Sequence, residues 1–535
     1  MNEGGLSKRT VLVAALAVVV VVAGAKLAGA QSPSSSCVEI IRGVLADISA
    51  RDLDTSNGPP LNSFLTMNAA ALTQAEELDK RIEKGEPRGH CVPVAVKDNF
   101  DTADMAVSVG SLALADNRPP RDADLVARIR AAGGIIVGKT NMDEFAMGIR
   151  GLSGAGGRVG NAYDTRMSPG GSSSGSGVAV ASGFVPLALG SDNCGSLRIP
   201  AVYNGVVALR PTYGRLSTEG VFPIGFVNGA TGAIAKDVPT LRTAFSVLSD
   251  NWRSKRADIA DGLSGRRIGI LRSFNGKDPW AAADSVVRAR LAQAIAQMKG
   301  QGAEIVERVA INVFDTRLGI EFLRGFGARV DRNFASYPAP FKSWNDVCGS
   351  GLIRPEWTPK QCRDAGVSAP RQEAVAVRRI ADNRSRVVGL MDRLRLDAIL
   401  YPTDGRGGAR ESPSDNITCF VAGSSGLPSG AVPMALDGRG MPIGIEWLGR
   451  PGSDEMLIGI MAGFETARGP ISKPRHDAPN LDTARLDIAQ QNALRHALGL
   501  AAFKSRNGAA LGDLQPERFR ALTERIIKNW NQKRP

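Results

Sequence analysis

Three short runs in this chain are apolar at every position, and that continuity limits the fold more than any other feature. They are Val92-Pro93-Val94-Ala95-Val96, Ile135-Ile136-Val137 and the stretch from Val185 to Leu189. A strand apolar on both faces has to be covered on both faces, as in the parallel part of a layered sheet. Helical periodicity lies between such runs, over Val38–Ala50, Ala69–Lys84, Asp124–Ala132 and a small-residue segment near Gly177–Ser182. Farther on, Arg267–Leu271, Asp397–Pro402 and Pro442–Leu448 again read as strands. Asp284–Lys299 is amphipathic, with Val287, Leu291, Ile295 and Met298 on one face and Gly300 as a stop. Strands alternating with helices predict an α/β layered domain. The charged stretch 275–395, with Trp344 and Trp357, reads as a helical insertion. The stretch 471–535 reads as a C-terminal helical extension whose stripe Phe519, Leu522, Ile526 and Trp530 docks back onto its own domain, with a membrane or partner contact as the alternative.

The N-terminus has the form of an export signal. Lys8 and Arg9 precede an apolar run from Val11 to Ala25, and Ala28-Gly29-Ala30 supplies a small-residue cleavage site. Residues 1–30 are therefore expected to be a signal peptide, giving a periplasmic or secreted protein. Retention of residues 11–30 as an uncleaved anchor is the alternative. The six cysteines (37, 91, 194, 348, 362 and 419) form no C-x-x-C pair. In an oxidising compartment Cys348 and Cys362 are candidates for a bridge, against the alternative of two free thiols. Only three histidines occur, His90, His476 and His496, so neither a metal site nor a cofactor is expected. The net charge of +13 comes from 66 basic residues scattered among 53 acidic ones. Without clustering along one face it predicts a basic surface, not nucleic-acid binding.

Chemistry concentrates where glycine does. Of 61 glycines, ten fall between Gly148 and Gly177. One pattern in this region is rejected. Gly133–Thr140 matches the G-x(4)-G-K-T phosphate loop, but its interior is Ile-Ile-Val, which is a strand and not a cradle of free amides. The run Ser168-Pro169-Gly170-Gly171-Ser172-Ser173-Ser174-Gly175-Ser176-Gly177 is different. Apolar elements flank it tightly, which a flexible linker would not need. After the next strand comes Gly190-Ser191-Asp192-Asn193-Cys194-Gly195-Ser196-Leu197-Arg198-Ile199-Pro200.

These segments resemble the amidase signature hydrolases. GGSSSGSG with Ser196 placed 24 residues after Ser172, and PVAVKDNF with Lys97 placed 75 residues before it, carry the resemblance. GKTNMDEFAMG (138–148), ALRPTYGRLS (208–217), LPSGAVPM (427–434) and MPIGIEWLGRPGSDE (441–455) extend it over roughly residues 38–470. The resemblance implies one large domain with a mixed β-sheet flanked on both faces by helices, and hydrolysis of a carboxamide. It implies Ser196 as nucleophile, Ser172, preceded by a cis peptide bond, as proton relay, and Lys97 as base. By similarity the N–H groups of Asn193, Cys194 and Gly195 form the oxyanion hole, while Asp192 and Arg198 brace the loop. The residues themselves agree: a lysine titrates near 10.4 and becomes a base at neutral pH only when buried, as the end of an apolar strand allows.

Two departures accompany the resemblance. The family usually has glycine where Cys194 stands, and a side chain there is expected to narrow the oxyanion hole. The family's D-x-x-G-P segment appears with Gly229 and Ala233 in place of its acid and proline. The expected partner is a small-molecule amide, with a homo-oligomer allowed. Competing readings are an amidotransferase A-type subunit that releases ammonia from glutamine, and a catalytically silent binding protein on the same fold.

Overall fold

The computed structural model describes residues 35–504 other than 56–57, 86–90, 223–228, 250–261, 282, 317–326, 328, 332–340, 367–369, 405–417, 475–482 and 484–485. The export segment and the stripe at 519–530 lie outside these residues. Among the described residues no helix is long and apolar enough to cross a membrane.

One mixed sheet organises the body. Its strands are β1 (Phe64–Met67), β2 (Val92–Lys97), β3 (Gly134–Thr140), β6 (Leu187–Asp192), β7 (Val207–Arg210), β8 (Ala230–Ala235), β9 (Arg267–Phe274), β10 (Glu304–Ile311), β11 (Ala398–Pro402), β12 (Ser429–Leu436) and β13 (Pro442–Leu448). The short strands β4 (Leu152–Ser153) and β5 (Gly157–Arg158) pair separately. The spatial order is β1-β3-β2-β6-β8-β7-β12-β13-β11-β9-β10. Two parallel blocks, β3-β2-β6 and β11-β9-β10, flank an antiparallel centre.

The apolar runs behave as their composition requires. In β2, Val94 and Val96 enter the core on one face while Ala95 enters the core on the other. In β3, Ile136 joins the first core, and Ile135 and Val137 join the second. Helices Val238–Leu248, Ser285–Gly300 and Asp454–Arg468 cover the first face; Cys37–Arg51, Ala71–Glu83 and Ser174–Ala181 cover the second. Each fully buried branched side chain contributes about 1.5–3 kcal/mol, so a strand covered on both faces is held from both. The rejected phosphate-loop match is β3 itself, with Lys139 and Thr140 on the strand.

The stretch 275–395 departs from the expected insertion. The helix Ser285–Gly300, capped by Asp284 accepting from the Val287 N–H at 2.8 Å, packs into the main core. β10 then extends the sheet, so this first part belongs to the layered body. The later part contains the helices Trp344–Gly349, Pro359–Gly366 and Pro370–Leu394. The first two of these helices are joined by the Cys348–Cys362 disulfide. Trp344 and Trp357 pack edge-on to Phe145 at 5.2 and 5.5 Å, and the Arg354 N–H donates to Glu144 Oε2 at 2.9 Å. These contacts seat the helical part beside the segment that carries Asp143.

The C-terminal helix Ile488–Lys504 docks onto the body, and its contacts explain how. Asn492 accepts the Met67 N–H at 2.7 Å and donates to the Met67 carbonyl at 2.9 Å, imitating the strand that edge strand β1 lacks. Arg495 forms a buried ion pair with Asp52 at 2.5 Å.

Candidate active site

The carboxyl ends of β3, β2 and β6 converge, and the candidate site lies there, where open α/β sheets commonly place their ligands. Lys97 ends β2 and Ser191 lies beside it near the end of β6. Lys97 Nζ is 2.8 Å from Ser172 Oγ and 2.8 Å from Ser191 Oγ. The Asn99 amide also donates to Ser191 Oγ, at 3.1 Å. Lys97 has no solvent exposure. Burial pulls its pKa from 10.5 to about 7, against the opposing pull of the Asp143 and Asp192 charges.

Ser172 follows a cis peptide bond from Gly171. The glycines around it are required by close approach. A Cβ on Gly171 would stand 2.0 Å from Asp143 Oδ2, and one on Gly175 would stand 2.2 Å from the Ser63 carbonyl oxygen. Asp143 grips the neighbouring loop, accepting N–H groups of Arg150, Gly151 and Leu152 at 3.0–3.2 Å. Burial raises the pKa of Asp143, and those three N–H bonds oppose the rise.

Ser196 stands between the end of β6 and the helix Arg198–Tyr203. Its carbonyl accepts the Ser173 N–H at 3.2 Å, which ties the two serine segments together. Its hydroxyl makes no hydrogen bond among the described residues, that to Ser172 Oγ included. Such catalytic contacts often tighten only when substrate binds.

Asp192 and Arg198 lie in one buried network around the loop. Asp192 accepts the Leu197 N–H at 3.1 Å and Arg198 Nε at 3.0 Å, with Arg210 Nη1 at 3.2 Å. Burial alone would raise the pKa of Asp192, but the two guanidiniums outweigh it and hold the carboxyl below its ordinary range. Arg198 also pairs with Glu446.

Of the three residues the resemblance places in the oxyanion hole, Gly195 is already engaged. Its N–H donates to Asp192 Oδ1 at 2.9 Å and is committed to the brace. The N–H groups of Asn193, Cys194 and Ser196 have no acceptor among the described residues. Cys194, the residue expected to narrow this hole, has its sulfur bonded to Cys419, 225 residues away in sequence. The left-handed backbone falls on Gly195, at φ +90°, and not on Cys194.

Sequence reasoning misses Ser191, Asp143, Arg210, Glu446 and Cys419. Only Ser191 carries a signal, as a hydroxyl within the same strand-to-loop segment as Ser196. Among the described residues no group of three or more His, Cys, Asp or Glu side chains converges as a metal site.

A buried amine with a pKa near 7, two hydroxyls against it and a loop of N–H groups without acceptors among the described residues fit a hydrolase of amide carbon–nitrogen bonds. The chain belongs to the Amidase family, whose model matches residues 54–458. It is similar to peptide amidase from Stenotrophomonas maltophilia, with 30% identity, a TM-score of 0.73, and coverage of 83% of this chain and 96% of that one. It is also similar to the A-type subunit of glutamyl-tRNA(Gln) amidotransferase from Symbiobacterium thermophilum, 31% identical over 80% of this chain and 93% of that protein. The same protein of Deinococcus radiodurans is 30% identical over 76% of this chain and 90% of its own length.

Proposed function

We propose that the protein hydrolyses a carboxamide through a Ser196–Ser172–Lys97 relay and an acyl-enzyme. The carrying observation is the fully buried Lys97, with Nζ 2.8 Å from Ser172 Oγ and a pKa near 7. Neutral Lys97 donates to Ser191 Oγ and turns its lone pair toward Ser172. As Ser196 Oγ attacks the carbonyl carbon, its proton passes to Ser172 Oγ, and the Ser172 proton passes to Lys97. The carbonyl π pair moves to oxygen, where the N–H groups of Asn193, Cys194 and Ser196 meet it; one such donor is worth about a hundredfold or more in rate. Collapse breaks the C–N bond, and the Lys97 proton returns through Ser172 to the leaving nitrogen. Water enters by the same path and releases the acid.

The test is covalent. A fluorophosphonate labels Ser196 in the native enzyme and labels nothing in Ser196→Ala. Native protein that stays folded and unlabelled fails the relay and favours a silent binding protein. The similarity to amidotransferase A-type subunits supports a second reading, in which the released ammonia is delivered to a partner. Glutamine-dependent amidation of Glu-tRNA with added partner subunits, absent without this chain, would establish it. Three disulfides among the described residues support export to an oxidising compartment. N-terminal sequencing of protein recovered outside the cytoplasm tests cleavage after Ala30.

A further inference from the structure

We propose that the Cys194–Cys419 disulfide is a positioning element of the oxyanion loop, so that turnover depends on the oxidation state of this one bridge. The proposal rests on the serine–lysine reading and concerns the same site.

Cys194 lies two residues before Ser196, and its own N–H is one of the donors left free. The inner side of its loop is fixed by Asp192, which binds the Gly195 and Leu197 N–H groups. The outer side rests on the short helix Cys419–Gly423. That contact is close along its whole length. A Cβ on Gly423 would stand 2.2 Å from the Asn193 carbonyl oxygen, and one on Gly195 would stand 3.3 Å from Cys419 Cβ. Arg198 Nη2 donates to the Cys419 carbonyl at 3.3 Å, so the ion-pair brace reaches the same helix. Helix, bridge and brace therefore form one wall behind the donor N–H groups.

A dithiol reductant would open the wall. It gives two electrons and two protons to the bridge, becomes a cyclic disulfide itself, and leaves Cys194 and Cys419 as thiols. With the bridge open, only the non-covalent contacts of Gly423, Gly195 and Arg198 tie the helix to the loop, and the donor N–H groups lose a covalent point of fixation. A misplacement of about 1 Å in a reacting geometry costs on the order of a hundredfold. The other two bridges hold no part of this wall. Cys37–Cys91 joins the helix Cys37–Arg51 to the residue before β2, and Cys348–Cys362 joins two helices of the later insertion.

The experiment uses the full chain, oxidised or treated with dithiothreitol, with opened bridges identified by alkylation and mass spectrometry. Two rates are read: phosphonylation of Ser196 by a fluorophosphonate, and hydrolysis of N-acetyl-phenylalaninamide. Opening Cys194–Cys419 is expected to lower the phosphonylation rate and kcat by about tenfold to a hundredfold, with KM changed less than about twofold and reoxidation restoring both. Cys194→Ala/Cys419→Ala carries the lowered rates and ignores reductant, whereas Cys348→Ala/Cys362→Ala keeps native rates and stays sensitive. Unchanged rates in enzyme whose Cys194–Cys419 bridge is shown open overturn the proposal while leaving the relay standing. So does loss of the cooperative melt in both the reduced enzyme and the double variant, which makes the bridge a stability staple. Absence of Ser196 labelling in the oxidised enzyme removes the relay itself, and the proposal with it.

Discussion

The carboxyl ends of β2 and β3 lie side by side, and each carries a lysine with no solvent exposure, Lys97 and Lys139. Burial pushes both pKa values down. Their partners differ. Lys139 faces Asp98 at 3.4 Å and the Phe100 carbonyl at 2.5 Å. Asp98 is itself pushed up by burial, with Lys139 opposing the rise. A proton moved within that pair changes no net charge, so the pair is a structural joint. Among the described residues Lys97 has only hydroxyls within hydrogen-bond reach; burial brings its pKa to about 7, and the more distant Asp143 and Asp192 oppose that fall without taking its proton. Desolvation alone does not make a base. Desolvation beside a hydroxyl that can be deprotonated does.

The sharpest way to break this comparison is to replace each amine by an isosteric thioether. Lys97→Met is expected to reduce amide turnover by about a thousandfold or more, because members of such a relay fail together. It is also expected to raise Tm at pH 7. Folded Lys97 titrates near 7 and the unfolded chain near 10.5, so between those values the native state binds fewer protons. The stability this group withholds is fully withheld below about 7 and restored as pH rises to 10.5, so the gain in Tm should close over that window. A variant that is inactive but no more stable at pH 7 would show that Lys97 is charged in the fold. Lys139→Met should do the opposite: it strands Asp98 and costs about 3–5 kcal/mol, read as a lower urea midpoint. Asp98→Asn added to it should recover part of that loss.

The same contrast predicts the pH–rate profile. Below the Lys97 pKa, kcat/KM for an amide should fall tenfold per pH unit, and above about 7 it should level off. The Lys139–Asp98 pair contributes no second inflection. A flat profile from pH 5 to 9 with chemistry rate-limiting would refute the base assignment.

What is legible in the sequence follows from how local each signal is. β13 and the helix Ser285–Gly300 match their predicted spans because apolar period and caps are written within them. Edge strands β1 and β10 escape a reading of that kind. β10 carries the exposed Glu304, Glu307 and Arg308, as an edge tolerates, and so lacks the continuous apolar run of a central strand. Lys97, Ser172 and Ser196 are recognisable because each sits in a distinctive motif. Their supports Asp143 and Cys419 are not, because these act through contacts that only the folded sheet creates. The cysteines show the same limit. Cys348 and Cys362 are 14 residues apart, near enough to suggest a pair, whereas the partners of Cys194 and Cys37 lie 225 and 54 residues away.

The smallest effect tests the finest part of the contrast, the second hydroxyl on Lys97. Ser191 Oγ accepts from both Lys97 and Asn99, so in the proposed relay it holds the amine by its N–H while the lone pair faces Ser172. Ser191→Ala keeps the relay and removes that hold. A bond accepted from an amine favours its charged form more than its neutral form. Its loss should therefore move the break in the pH–rate profile to lower pH, while freer rotation of the amine lowers the plateau by about tenfold, toward the small end of general-base effects. The two changes oppose each other below the break, so the variant should lose less activity at pH 6 than at pH 8. A break that moves upward would mean that Ser191 donates to Lys97, and the orientation of the lone pair would have to be reversed.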